Sequence, residues 1–322
     1  MVMTGAELLR KAAGPIATSD FIAASGLLSA EQSTAFLDQV YEATPLSALI
    51  RKERRRSKSG TIAKIGIGGR QLRRKTAGVD DSTLVKPTFS DVAYQTAASR
   101  LDWEVEEEVL EENIEGEGLE EHLVRLMTTV IGIDLEDLHL NADTTVVVDA
   151  DHTADDVAFL TQNDGWLRQI ATGAIAHRID GATINAGSIS KDHFFAAVQA
   201  TPSKYLNPAV MKWIANEVVL SRYAEYLSNR GTGAGDAVLA SGQVTQIAGF
   251  GVVAASKMPN DRILLADPRN LIAVNTREIR RRKTTEGREA IRQDKRFYAI
   301  FLDDDPVIEE QDAIADIYGL AA

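Results

Sequence analysis

Hydrophobic positions along this chain alternate at period two in its first third and then change to helical spacing. The run GTIAKIGIGG alternates apolar and polar residues over Gly60 to Ile67, and KPTFSDVAYQTAASRLDWEV, Lys86 to Val105, does so again. Between them lies QLRRKTAGVDDST, polar and rich in turn residues, so the two runs predict a long, exposed hairpin that is too polar at its tip to be a core element. Leu119, Leu123, Leu126, Met127, Val130, Ile131, Ile133, Leu135 and Leu138 then recur near a 3.6-residue period, with Gly116 and Gly118 at the start. That pattern predicts a long structural helix with a broad apolar face. Ahead of the hairpin, Ser29 and Gln32 have capping-box spacing and Phe36, Leu37 and Val40 share a face, predicting a short helix over about 29–41 in an otherwise polar arm.

From about Gly165 helix and strand signals alternate. SKDHFFAAVQAT, Ser190 to Thr201, has a capping serine and a Phe pair; Asn207-Pro208 is read as opening a second helix through Val210, Trp213, Ile214, Val218 and Leu220 to about Leu227. The glycines at 231, 233, 235 and 242 predict a long loop. FGVVAA, RILLAD and NLIAVN are short strand-like runs bounded by Gly, Pro or Asn. The tail returns to charge-rich alternation, and Asp303-Asp304-Asp305-Pro306 within it reads as a turn.

Charge changes the picture more than composition does. Between Arg51 and Lys75 there are eleven basic residues against Glu53 alone; between Asp102 and Glu121 there are eleven acids and no Lys or Arg. Two such blocks repel their own kind and attract each other, so neighbouring copies could pair basic hairpin to acidic segment. The candidate contact residues are Arg54, Arg55, Arg56, Arg70, Arg73 and Arg74 on one side and Glu106, Glu107, Glu108, Glu111 and Glu112 on the other. The bland reading of the acids nearest the long helix is stabilisation of its N-terminus by the dipole. At 322 residues and 44% hydrophobic the chain can bury a proper core. It has no cysteine, which excludes disulfides and thiolate metal sites. A net charge of −12 argues against a generic nucleic-acid binder. No apolar run approaches the roughly 20 residues that span a bilayer, so the chain reads as soluble, made in the cytoplasm and without a membrane partner.

Candidate chemistry is thin. The glycines at 66, 68 and 69 are followed by a basic turn and not by a helix, so they suit a twisted hairpin better than a phosphate cradle. RGTGAGD, Arg230 to Asp236, follows a helix and reads as a mobile loop. EVEEEVLEENIEGE lacks the Asp/Asn alternation and central glycine of a calcium loop. The histidines 122, 139, 152, 177 and 193 show no metal-ligand or triad spacing and read as surface or half-buried structural residues. No catalytic residue, cofactor or metal site is expected.

The order of these elements carries a resemblance. A polar arm, a charged hairpin, EEEVLEENIEGEGLEEHLVRLM, DGWLRQIA, helices joined through YLNPAVM, FGVVAASKMP, ILLADPRNLIAVNTREIRRR and a closing FYAIFLDDDPVIEEQDAIADI together resemble a tailed-bacteriophage major capsid protein. The resemblance covers most of the chain from about residue 30. It implies an α+β fold of the type named after phage Hong Kong 97: an N-terminal arm (1–56), an extended β-hairpin or E-loop (57–98) lying over the neighbouring subunit, a peripheral domain with its spine helix (99–171), an axial domain (172–275) and return strands of the peripheral domain (276–322). Arg230, Gly231, Gly233, Gly235 and Asp236 would lie in an axial loop meeting its copies at the centre of a pentamer or hexamer.

The implied function is a major capsid protein that self-assembles through pentamers and hexamers into the icosahedral head. Its partners would be its own copies, portal and scaffold or decoration proteins, and packaged DNA enclosed without sequence-specific binding. Its place would be the virion, after assembly in the host cytoplasm. Some members crosslink Lys to Asn between subunits; Lys58, Lys64, Lys75 and Lys86 are available, but no Asn follows Asn275, so no crosslinking is expected. Two rival readings are an encapsulin-type nanocompartment shell and a two-domain α+β enzyme.

Overall fold

The computed structural model describes residues 44–66, 87–108, 118–150, 152–173, 177–229, 244–276, 280–285 and 287–321. The arm helix expected over 29–41, the hairpin tip and the 230–236 loop lie outside them. Thirteen strands are present among the described residues: β1 (Arg51–Arg54), β2 (Ser59–Gly66), β3 (Thr88–Gln95), β4 (Ala97–Glu106), β5 (Arg178–Asp180), β6 (Lys212–Ala215), β7 (Gln246–Ile247), β8 (Phe250–Ala254), β9 (Ile263–Ala266), β10 (Leu271–Asn275), β11 (Arg280–Thr284), β12 (Lys295–Ile308) and β13 (Ala315–Tyr318). The α-helices are α1 (Gly118–Asn141), α2 (Ala154–Leu160), α3 (Trp166–Thr172), α4 (Lys191–Ala200), α5 (Glu217–Ser228) and α6 (Arg288–Gln293).

The strands form two large sheets and one isolated ribbon. A six-stranded sheet runs β5-β13-β9-β6-β8-β7, and a five-stranded sheet runs β1-β10-β12-β11 with β4 also paired to β12. Ribbon β2-β3 pairs with neither, its strands antiparallel from Ser59 opposite Gln95 to Gly66 opposite Thr88. Helix α1 is the long helix the periodicity predicts. Its Ile131 and Leu135 pack on Ile300 and Leu302 of β12, with Leu101 and Trp103 of β4 beside them.

The core of the six-stranded sheet is aromatic. Phe194 of α4 stands edge-on to Trp213 of β6, ring centroids 4.9 Å apart, and Tyr223 of α5 closes the cluster. The indole N–H of Trp213 donates to the Ile247 carbonyl at 2.9 Å, so the ring is buried with its polar atom satisfied. A second cluster runs between the sheets through Leu46, Leu140, Trp166, Ile214, Leu264, Ala273 and Ile308. Gly165 caps α3 there because a Cβ at that position would stand 2.8 Å from the Leu140 carbonyl.

Three sequence expectations are corrected. Asn207-Pro208 opens a turn and not a helix: Trp213, Ile214 and Ala215 are the centre of β6, and the helix begins at Glu217, capped by Asn216. A strand buried on both faces shows no alternation, so its apolar run merged with the true helix that follows. Asp303 to Pro306 is no turn either, but lies inside the 14-residue strand β12, with Pro306 opposite Ala273 of β10 and beyond the last residue paired to β4. His139, His177 and His193 are buried, where surface or half-buried positions were expected. His193 is held in the first turn of α4, where Nδ1 accepts from the Ser190 amide at 3.2 Å and Nε2 donates to the Gly181 carbonyl at 3.1 Å.

Candidate assembly surfaces

The hairpin β2-β3 has two unlike faces, as the two-residue period of a strand requires. On the inner face Ile62 (2% exposed) and Tyr94 (7%) pack with Val92 against Ile272, Val274 and Val307 of the five-stranded sheet. On the outer face Ile65 (70% exposed) and Phe89 (69%) stand directly opposite each other across the ribbon. A paired aromatic and β-branched side chain with this much exposure is an apolar patch that the described residues leave uncovered. Beneath the outer half of the ribbon lies an open cleft of about 760 Å³, lined by Lys64, Ser90, Lys204, Asn207, Arg269 and Glu310 among others. Lys64 bridges it, its Nζ donating to the Glu309 carbonyl at 2.7 Å.

The charge blocks find partners within the chain. Arg51 pairs with Glu53 and, at 2.5 Å, with Glu309; Arg55 pairs with Glu53 at 2.6 Å. Burial works against ionisation of Glu53, but hydrogen bonds from Arg51 and Arg55 outweigh it and hold the carboxyl below its ordinary value. On the acidic side, β4 runs antiparallel to β12 from Ala97 opposite Asp304 to Glu106 opposite Lys295. That register brings Glu104 to Lys295 at 2.6 Å and Glu107 to Arg296, whose hydrogen bonds hold the Glu107 carboxyl low. The strand partner of the acidic block is thus the basic tail near residue 295, a juxtaposition that the separation of about 190 positions hides in the sequence.

Of the candidate contact residues, Arg54, Arg56, Glu106 and Glu108 are exposed, while Arg55 and Glu107 are half-buried in the pairs just described. Arg70, Arg73, Arg74, Glu111, Glu112, Arg230, Gly231, Gly233, Gly235 and Asp236 lie outside the described residues. Sequence reasoning missed Ile65 and Phe89, although their opposed register follows from the alternation already noted.

No protein-family model matches the chain. Its sequence is 27% identical over 335 residues, covering 98% of both chains, to "Putative prophage capsid protein YqbE" of Bacillus subtilis (strain 168). Its structure superposes on a chain from the satellite phage P4 procapsid that includes the size determination (Sid) protein, with TM-score 0.70 over 99% of this chain and 98% of that one at 13% identity. It also matches a chain of the native GTA particle capsid (TM-score 0.60, 14% identity, 87% and 91% covered) and a chain from Mycobacterium phage Bobi (TM-score 0.56, 12% identity, 100% of each).

The chain has the fold of phage capsid proteins.

No helix among the described residues is long and apolar enough to cross a membrane, and no group of three or more His, Asp or Glu among them could hold a metal ion.

Proposed function

We propose that this chain is a major capsid protein of the Hong Kong 97 type, which assembles through pentamers and hexamers into an icosahedral head around phage DNA. The observation that carries this reading is the ribbon β2-β3, which joins neither large sheet and presents Ile65 and Phe89 to solvent. In this reading residues 1–56 are the arm, 57–98 the E-loop that reaches a neighbouring subunit, 99–171 and 276–322 the peripheral domain, and 172–275 the axial domain whose 230–236 loop meets its copies at the capsomer axis. The role is structural and non-enzymatic. Portal, scaffold and decoration proteins are the further partners, and the DNA is enclosed without sequence-specific contacts.

Arg54, Arg56 and the hairpin-tip arginines 70, 73 and 74 are the basic side of the intersubunit contact, with Glu106, Glu108, Glu111 and Glu112 as the acidic side. Arg55, Glu106 and Glu107 each also hold an ion pair inside the chain, which a contact with a neighbour would have to share. Charge complementarity of this kind sets register and encounter rate more than affinity, and it weakens as salt screens it.

The test is light scattering behind size exclusion with negative-stain microscopy, on the full chain expressed alone and with its phage's scaffold protein. Closed hollow particles or free pentamers and hexamers are expected. A monomer or dimer under both conditions at every concentration and salt would overturn the reading, and particles holding a protein cargo in place of DNA in the native host would turn it to a nanocompartment.

A further inference from the structure

The hairpin is tied to the body of the protein at its root by two buried carboxylates. Side chains of β12 alternate, so Asp304 points to α1, where it meets His139, while Asp303 and Asp305 lie on the opposite face with Val307, under the hairpin. The rising leg is held by Lys58, whose Nζ is 3.5 Å from Asp303. The returning leg is held by Asp305, which accepts a hydrogen bond from the Gln95 amide at 2.9 Å. Thr96 closes the root: its amide donates to the Lys58 carbonyl at 2.9 Å, and its hydroxyl lies 2.8 Å from that of Thr276. Farther out, the open cleft leaves the ribbon room to move, with Lys64 as the strut across it.

We propose that Asp303 and Asp305 form a pH-dependent clasp on the hairpin root, tightest while Asp305 carries a proton and loosened once it ionises. The clasp is internal to one chain, so it stands whether or not the hairpin reaches a neighbouring copy.

The groups around Asp305 set the sign. Burial is the largest influence and disfavours the anion; Asp304 beside it on β12 and Asp164 from the turn before α3 push the same way. The Gln95 amide and His139 of α1 favour the anion but do not prevail, and the carboxyl is pushed up to about 7. Lys58 approaches from the hairpin but is taken by Asp303. When the root lifts, Asp305 meets water and its proton affinity falls toward the ordinary value of 3.8. Between those two values the closed root binds a proton that the open root does not. Opening therefore grows by about tenfold per pH unit from about 4 to about 7 and levels off above that.

Amide hydrogen exchange of Gln95 reads this directly, because its hydrogen-bond acceptor is Asp305 itself. The full chain is measured unassembled from pH 5 to 8, with rates corrected for intrinsic exchange and Leu264 of the six-stranded sheet as the internal reference. The opening constant at Gln95 should rise about 50-fold between pH 5 and 7 and flatten above that, while that at Leu264 does not follow it. Asp305→Asn, which cannot ionise, should abolish most of the slope. A flat Gln95 profile in the unaltered chain, or the same slope with Asp305→Asn, would overturn the proposal. The first of these outcomes is available even if the variant fails to fold.

Discussion

The mixed six-stranded sheet and the antiparallel hairpin ribbon place their apolar residues in opposite ways. Every residue of β9, Ile263 to Ala266, is buried, and Trp213, Ile214 and Ala215 of the adjoining β6 are too. The ribbon buries only Ile62 and Tyr94 and leaves Ile65 and Phe89 in water. The lesson is one of division. The sheet buries its apolar residues within the chain, whereas the ribbon's outer apolar pair is left uncovered by the described residues and, under the proposed function, contributes once a neighbouring copy covers it.

That division is broken most directly from the sheet side. Trp213→Ala removes the ring that Phe194 and Phe250 pack against and leaves a cavity, so it should cost about 3–5 kcal/mol of subunit stability in a denaturant titration. Little folded subunit should remain to assemble. A loss below about 1 kcal/mol would mean the sheet is not the stabilising half.

From the ribbon side, Ile65→Ser with Phe89→Ser should leave unfolding within about 1 kcal/mol of the parent, because exposed positions carry little. The same double variant should lose closed particles by negative-stain microscopy. Normal shells from it would show that the outer face is not a contact surface.

Glu53→Gln tests a contribution internal to the chain. The carboxyl is held below its ordinary value of 4.5 by Arg51 and Arg55, so the ionised form favours the folded state. That stability is present above about pH 4.5 and is lost as pH falls through the lowered folded value. The pair is partly exposed, so it amounts to about 1 kcal/mol or less, and the variant should unfold with a shallower acid dependence between pH 5 and 3. An unchanged acid profile would remove Glu53 from the account.

The smallest effect is expected from Arg56→Glu, which alters an exposed charge next to β1. Subunit stability should stay within about 0.5 kcal/mol, while assembly followed by light scattering should slow and become less sensitive to salt. Assembly at the parental rate and salt dependence would sink the charge-pairing part of the proposed function.

The particular errors of sequence reading share a cause. Asp303-Asp304-Asp305-Pro306 has the composition of a turn, and only its pairing with β10 and the partners His139, Lys58 and Gln95 explain three acids inside a strand. Trp213 to Ala215 looked helical because a strand covered on both faces has no alternation to betray it. The uncovered pair Ile65 and Phe89 was legible in principle, since both lie within the alternating runs, but alternation alone does not say which face the sheet will cover.

By itself the sequence determined the elements whose signal is local: the ribbon's alternation, the 3.6-residue stripe of α1, the Ser190 cap of α4, and the order of elements that resembles a phage capsid protein. Tertiary structure alone decided which charges meet. The acidic strand β4 lies along β12 in a register set by apolar side chains such as the partly buried Leu101 and the buried Ile300, so its acids pair with Lys295 and Arg296 rather than with the basic run that is nearer in sequence. The physical reason is range. Periodicity and capping act within a few residues of chain and are written there, whereas an ion pair or a buried carboxylate depends on distance in space, which is fixed only when the apolar faces have packed.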